Sequence, residues 1–297
     1  MVRKLKPELS HKFKKLDIFT RRLVSTKLVG KYKTLIRGKG LEFNGFREYT
    51  FEDDASLIDW KATVRLRKPY IKEFIEERNL EVFFLIDVSA TMVFGSTQKL
   101  KNEYVIELVS LLSYAVLNAG DSLGYAFFAD KPFNINLPSH NQKLFYILTN
   151  QLINADLYGG NYDFEAALKK ITPLLKKNSI LIIISDFIGL FGDWQKEIKQ
   201  ASYKFDTIGI MVRDPRDKEI PEDSEMIIIS DPYTNEQIIL DPTKKVRERY
   251  KVYVEHQEKN IKDVFIKSRA SFLRLSTDQN PIPLIINFFT KRKKWLR

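Results

Sequence analysis

The sequence predicts an α/β protein in three layers, a mostly parallel central sheet with helices on both faces. Three observations predict it. Short apolar runs of strand length occur at 81–86, 122–128, 180–185 and 206–212. Helical patterns separate them, at 98–118, 141–153, 163–176 and 193–203. The apolar runs are continuous rather than alternating, as expected for strands buried on both faces.

Taken in order, the chain opens on a basic arm. Residues 1–40 hold 13 Lys and Arg against Glu8 and Asp17. The arm therefore carries the whole excess of +11, and the remaining 36 bases are matched by 36 acids. Such an arm suits an acidic partner, an anionic membrane surface or nucleic acid. Equally, "LDIFTRRLVSTKLVG" places Leu16, Phe19, Leu23 and Leu28 at roughly helical spacing, as in a solubilising helix pair packed on the body. The opening residues lack the apolar core of a secretory signal, and no run approaches the ~20 residues of a membrane helix. The expectation is a soluble, cytoplasmic protein, with peripheral membrane contact through 1–40 left open. There is no cysteine, which excludes disulfides, thiolate metal sites and cysteine nucleophiles.

The first strand is followed by an unusual loop. "VFFLIDVSATMVFG" runs from apolar Val82–Ile86 into Asp87, Ser89 and Thr91, each two residues apart. A buried strand does not need this triplet for stability. In open parallel sheets, ligands bind at the carboxyl ends of strands, and Asp87 marks such an end. "LIIISDF" offers Ser185 and Asp186 at a second end, and "YGGNYDFEAAL" brings Gly159, Gly160, Asn161, Tyr162 and Asp163 before a helix. Hydroxyls and carboxylates suit a hard cation such as Mg²⁺. Alternatively, Asp87 and Ser89 simply cap the next turn. After residue 212 the pattern changes. "EMIIIS" and "EQIIL" read as two short strands, a long charged helix opens at Asp241 with Pro242 in its first turn, and a strand at 271–275 precedes a helix started by Pro281. His11, His140 and His256 are scattered, which argues against a zinc cluster or a catalytic triad. No phosphate-binding or nucleophile-elbow motif occurs.

Two family resemblances enter here. Asp87-x-Ser89-x-Thr91 resembles the metal-ion-dependent adhesion motif of von Willebrand factor A domains, with Asp186 at the position of that family's late metal-associated aspartate. Upstream, "GLEFNGFREYTFEDDASLIDWKATVRLRKPYIKEFIEER" resembles the DUF58 signature, through Gly40, Glu42, Phe43, Arg47, Tyr49, Asp53, Asp54, Ile58, Asp59, Trp60, Lys72, Glu73, Phe74, Glu77 and Arg78. "VRDPRDKEIP" and Asp231-Pro232 also look like that family, so the resemblance spans roughly 38–290. It implies a basic arm over 1–40, a signature segment over 41–80, a Rossmann-like von Willebrand factor A core over 81–212 and an α/β extension over 213–297. It also implies a non-enzymatic interaction protein working with a MoxR-type AAA+ ATPase in chaperone-like maturation of client proteins. The implied metal set is Asp87, Ser89, Thr91 and Asp186. Tyr162 stands where the family usually has threonine, so Asn161 is the expected substitute and the expected Mg²⁺ site is weak or absent. DNA is not expected as the main partner, and the oligomeric state is open. An alternative is a phosphoaspartate-type phosphohydrolase similar to haloacid dehalogenases, but its D-x-D-x-T motif needs a general acid where Ser89 stands.

Overall fold

The computed structural model describes residues 42–51, 53–75, 79–222, 226–231, 233–234 and 236–295. The arm at 1–40, Gly40, Glu77, Arg78 and Pro232 lie outside them.

The signature segment forms a small unit of its own. Strands β1 (Glu42–Glu48) and β2 (Tyr70–Ile75) pair antiparallel, and helix α1 (Trp60–Leu66) lies between them in sequence. Acidic side chains shape this connection. Asp54 accepts from Ser56 N at 2.8 Å and caps a single 3-10 turn. Asp59 accepts from Lys61 N and Ala62 N and caps α1. Asp53 takes both guanidinium nitrogens of Arg47, which hold its carboxyl well below the usual carboxylate range. Asp53, Asp54 and Asp59 of the signature thus each make a structural contact in this unit.

The body is built on a six-stranded sheet. Its members are β3 (Glu81–Asp87), β4 (Ser122–Phe128), β5 (Pro132–Ser139), β6 (Ile180–Ser185), β7 (Asp206–Arg213) and β10 (Ser271–Ser276). Their spatial order is β5-β4-β3-β6-β7-β10. All neighbours are parallel except β4 and β5. This is the doubly wound order with its switch point at β3, closed at one edge by an antiparallel strand. It is the three-layer, von Willebrand factor A-type arrangement expected from the sequence.

The two faces follow from the two-residue period of a strand. Val82, Phe84 and Ile86 of β3, with Ile180, Ile182 and Ile184 of β6, enter one core cluster. There they meet α2 (Lys101–Asn118), α3 (Lys143–Ile153) and α7 (Pro281–Trp295), through residues such as Leu108, Leu148 and Phe289. Phe83, Leu85, Leu181 and Ile183 face the opposite cluster, under α4 (Phe164–Ile171), α5 (Trp194–Lys204) and α6 (Lys244–Lys267). No helix among the described residues is long and apolar enough to cross a membrane.

Three expectations change. Strand β5 is absent from the sequence reading, because Pro132, Pro138 and Asn134 (φ 48°) interrupt its pattern; an edge strand tolerates proline where a central one does not. The helix expected over 163–176 stops at Ile171, two residues before Pro173. The helix expected to open at Asp241 begins at Lys244 with Thr243 as its cap, since the residue before Pro242 is biased away from helix.

The boundary expected at 212 does not bound the sheet either. β10 is its outer strand, and α6 and α7 cover its two faces. Among the described residues after 212, the hairpin β8 (Ile227–Ser230) and β9 (Gln237–Leu240) forms a separate two-stranded sheet. One contact shows how tightly the C-terminal part is fitted. A Cβ at Gly209 of β7 would lie 2.8 Å from Phe265 Cζ of α6. Gly209→Ala should therefore destabilise the protein by ~1–3 kcal/mol, as overpacking does. In urea unfolding, Gly209→Ala with Phe265→Leu should cost less than the sum of the two single changes. Additive effects would mean that the two surfaces do not press on each other.

Candidate functional site

The site forms where the carboxyl ends of β3 and β6 meet. Asp87 is the last residue of β3 and has no exposed surface. Its Oδ1 accepts from Ser89 N at 2.8 Å, turning the chain sharply after the strand. Its Oδ2 accepts from Ser185 Oγ at 2.7 Å, tying the end of β3 to the end of β6. Asp87 thus closes its own loop, as the capping alternative requires, and also bridges two strands. Burial pushes its carboxyl up to about 7, and the neighbouring Asp186 carboxylate adds to the effect.

The two hydroxyls after Asp87 converge. Ser89 Oγ and Thr91 Oγ1 are 3.1 Å apart, and both residues are buried. The glycine loop holds this turn from the side. Gly159 N donates to Val88 O at 2.9 Å, and Ala90 N donates to Gly160 O at 3.3 Å. Gly159 and Gly160 have φ of 148° and 78°, which a side chain would strain.

The loop after β6 is also constrained. Asp186 Oδ1 accepts from Ile188 N at 2.9 Å. Phe187 adopts φ 53°, uncommon for a bulky residue. Ring contacts to Phe164 and Phe265, at 5.6 Å centroid distance each, hold it there.

The structure brings Asp87, Ser89, Thr91 and Asp186 together, as expected, but not Asn161. Asn161 is exposed, and Tyr162 takes the buried position in that loop. The Tyr162 ring packs against Phe128 and Phe164, and its Oη lies 3.2 Å from Ser185 Oγ. Tyr162 is therefore a core residue that reaches the site through Ser185. Replacing it by threonine would open a large cavity rather than restore a ligand.

Three participants escaped the sequence reading. Lys101, the first residue of α2, is 1% exposed, and its Nζ lies 2.6 Å from Asp186 Oδ2 and 3.0 Å from Asp217 Oδ2. Burial alone would lower its pKa, but the two carboxylates outweigh burial and raise it above the ordinary lysine value. Asp217 enters from the turn after β7 and also accepts from Asp214 N. Tyr233, at the tip of the β8–β9 hairpin, has its Oη shielded from solvent against Ser89 and Thr91, with no well-formed hydrogen bond. Nothing in the local sequence separates Lys101 from the other basic residues, and Tyr233 is brought in only by the turn of the hairpin.

The donor set fits a small hard cation in part. The 3.1 Å hydroxyl pair is close to the about 2.9 Å edge spanned by two adjacent ligands of an octahedral ion at ~2.05 Å. Asp87, buried behind the pair, would gain a compensating charge. The third loop offers no serine or threonine hydroxyl, and both oxygens of Asp186 are engaged within the protein.

Comparison with known proteins agrees with the signature. The chain is 23% identical to the uncharacterized protein Rv1480 of Mycobacterium tuberculosis, over 97% of this chain and 91% of that one. The uncharacterized protein Mb1516 of Mycobacterium bovis matches equally. Among solved structures, the conserved hypothetical protein BatB of Bacteroides thetaiotaomicron is similar at TM-score 0.49 and 16% identity, over 73% of this chain and 99% of that one. The SpRpn10 VWA domain is similar at TM-score 0.40 and 8% identity, over 72% and 95%. The fold assignment rests on the strand order rather than on these likenesses. The family described as "Protein of unknown function DUF58" matches residues 45–260. Spanning most of the chain, that match places the protein in the DUF58 family.

Proposed function

We propose that this chain is a non-enzymatic protein-interaction module. Its site engages an acidic side chain of a partner through a divalent cation, with Mg²⁺ the hard, oxygen-preferring choice. The observation that carries this reading is the buried Ser89–Thr91 hydroxyl pair with the Asp87 carboxylate behind it. Ser89 and Thr91 would hold the ion directly, with Asp87 supplying charge. Such an ion supplies an electrophilic contact for a carboxylate. The protein's own part is to fix the two hydroxyls, by the Asp87 turn and the glycine loop, before any partner arrives.

Lys101 sharpens the reading. Its ammonium balances Asp186 and Asp217, and among the described residues no basic side chain pairs with Asp87, whose oxygens accept from Ser89 N and Ser185 Oγ. The phosphoaspartate alternative gains nothing, because Ser89 stands where its general acid would be and Lys101 serves two carboxylates. The partner class comes from the family resemblance: a MoxR-type AAA+ ATPase in the cytoplasm, acting in chaperone-like maturation of a client. The basic arm is a second contact in this reading, toward an acidic surface.

Binding of a MoxR-type ATPase to the full-length chain, followed by calorimetry, tests the proposal. Chelation of divalent ions, or Ser89→Ala, should weaken binding by about 30-fold or more, the equivalent of ~2 kcal/mol for a desolvated charge contact. Equal affinity with and without chelator, in a folded protein, would contradict it.

The internal ion pair has its own test. Lys101→Met leaves two buried carboxylates without their cation and should cost ~3–5 kcal/mol in urea unfolding. Lys68→Met, which removes an exposed pair with Glu48, should leave the unfolding midpoint nearly unchanged. Equal small losses would mean that the Lys101 pair is not buried as described.

A further inference from the structure

The hairpin of β8 and β9 makes its own two-stranded sheet, and its strands stay on the surface. Ile228, Ile229, Ile238 and Ile239 are all exposed. Among the hairpin's described apolar residues, Tyr233 is the one that packs on the core, against the cluster containing Tyr162 and Phe187. The tip is built to deliver it. Asp231 Oδ1 accepts from Tyr233 N at 2.7 Å and from Thr234 N at 3.1 Å, and Asp231 N donates to Glu236 O at 2.9 Å. The loop after β6 runs alongside it, at van der Waals range. A Cβ at Gly189 (φ 86°) would come 3.4 Å from Tyr233 Oη and 3.6 Å from its Cε2.

We propose that Tyr233 is an intramolecular cover over the hydroxyl pair of the site, and that a ligand entering there must displace the hairpin tip. This inference rests on the reading of the site as a cation and carboxylate receptor. Tyr233 Oη is shielded from solvent beside Ser89 and Thr91, while its ring packs on the core cluster and lies next to Gly189 in the loop that follows Asp186. Its phenol stays neutral, because burial and the Asp186 and Asp87 carboxylates all oppose ionisation. Among the hairpin's described apolar residues the Tyr233 ring packs on the core cluster, and its hydroxyl completes no good hydrogen bond. A two-stranded sheet is marginal by itself, so the hairpin can leave as a unit without unpairing the central sheet. Apparent affinity for any ligand is then reduced by the fraction of time the cover is closed.

The test uses the full-length chain with Mn²⁺ as probe, titrated by electron paramagnetic resonance, together with amide hydrogen exchange in metal-free buffer. Tyr233→Ala and Tyr233→Ser should behave alike. Each should bind Mn²⁺ about tenfold more tightly than the native chain and exchange the amides of Ser89, Ala90 and Ile188 about tenfold faster. Tyr233→Phe keeps the ring and should stay within about threefold of native in both. Unchanged exchange in the truncated variants would overturn the proposal, and so would equal or weaker Mn²⁺ binding in them where the native chain binds. Faster exchange with no Mn²⁺ bound by any variant would keep the cover and instead remove the cation from the proposed function.

Discussion

A carboxylate without exposed surface, at the end of the central strand, is the constraint on which the rest of the site depends. Asp87 has two oxygens, and the protein fills both with donors from different segments. One is the backbone of its own loop, which swings Ser89 and Thr91 into contact. The other is Ser185, which fixes the end of β6 and, through Tyr162, the second loop. A buried carboxyl left unsatisfied would be costly, so three loops are bound to one geometry by a single side chain. Lys101 balances Asp186 and the part-buried Asp217, while the Asp186 carboxylate still pushes Asp87 upward.

The sheet and half of the site were legible because their signals are local. A strand buried on both faces announces itself as an apolar run, and β3, β4, β6 and β7 all do so. Asp87, Ser89 and Thr91 are legible because their two-residue spacing sits at a strand end. What was hidden is what the topology assembles. β10 lies far along the chain from β7, yet returns beside it in parallel, so a break in pattern at 212 looked like the edge of a domain. β5 was masked by prolines that an edge position permits. Tyr162 looked like a failed ligand because the sequence shows a residue type and not its depth. In the fold it is an aromatic core residue. Lys101 and Tyr233 are ordinary residues whose roles exist only after folding.

The proposed receptor role draws on how rigidly these groups are held. The polar groups are fixed by backbone turns, by glycines at positive φ and by packed rings around Phe187, and none has to move for the hydroxyl pair to be presented. The part that the proposal sets in motion is the surface hairpin, which carries exposed isoleucines and one inward tyrosine. In the proposed reading, a DUF58 chain of this design holds its polar site behind the Tyr233 tip of the hairpin.

The most direct test of the central claim is the position of a cation in crystals of the full-length protein grown with Mn²⁺, read from anomalous diffraction. The account predicts one strong peak within bonding distance of Ser89 Oγ and Thr91 Oγ1, with the Tyr233 side chain withdrawn from the hydroxyl pair. A well-ordered site with native geometry, Tyr233 in place and no peak beside Ser89 and Thr91 at saturating Mn²⁺ would contradict it.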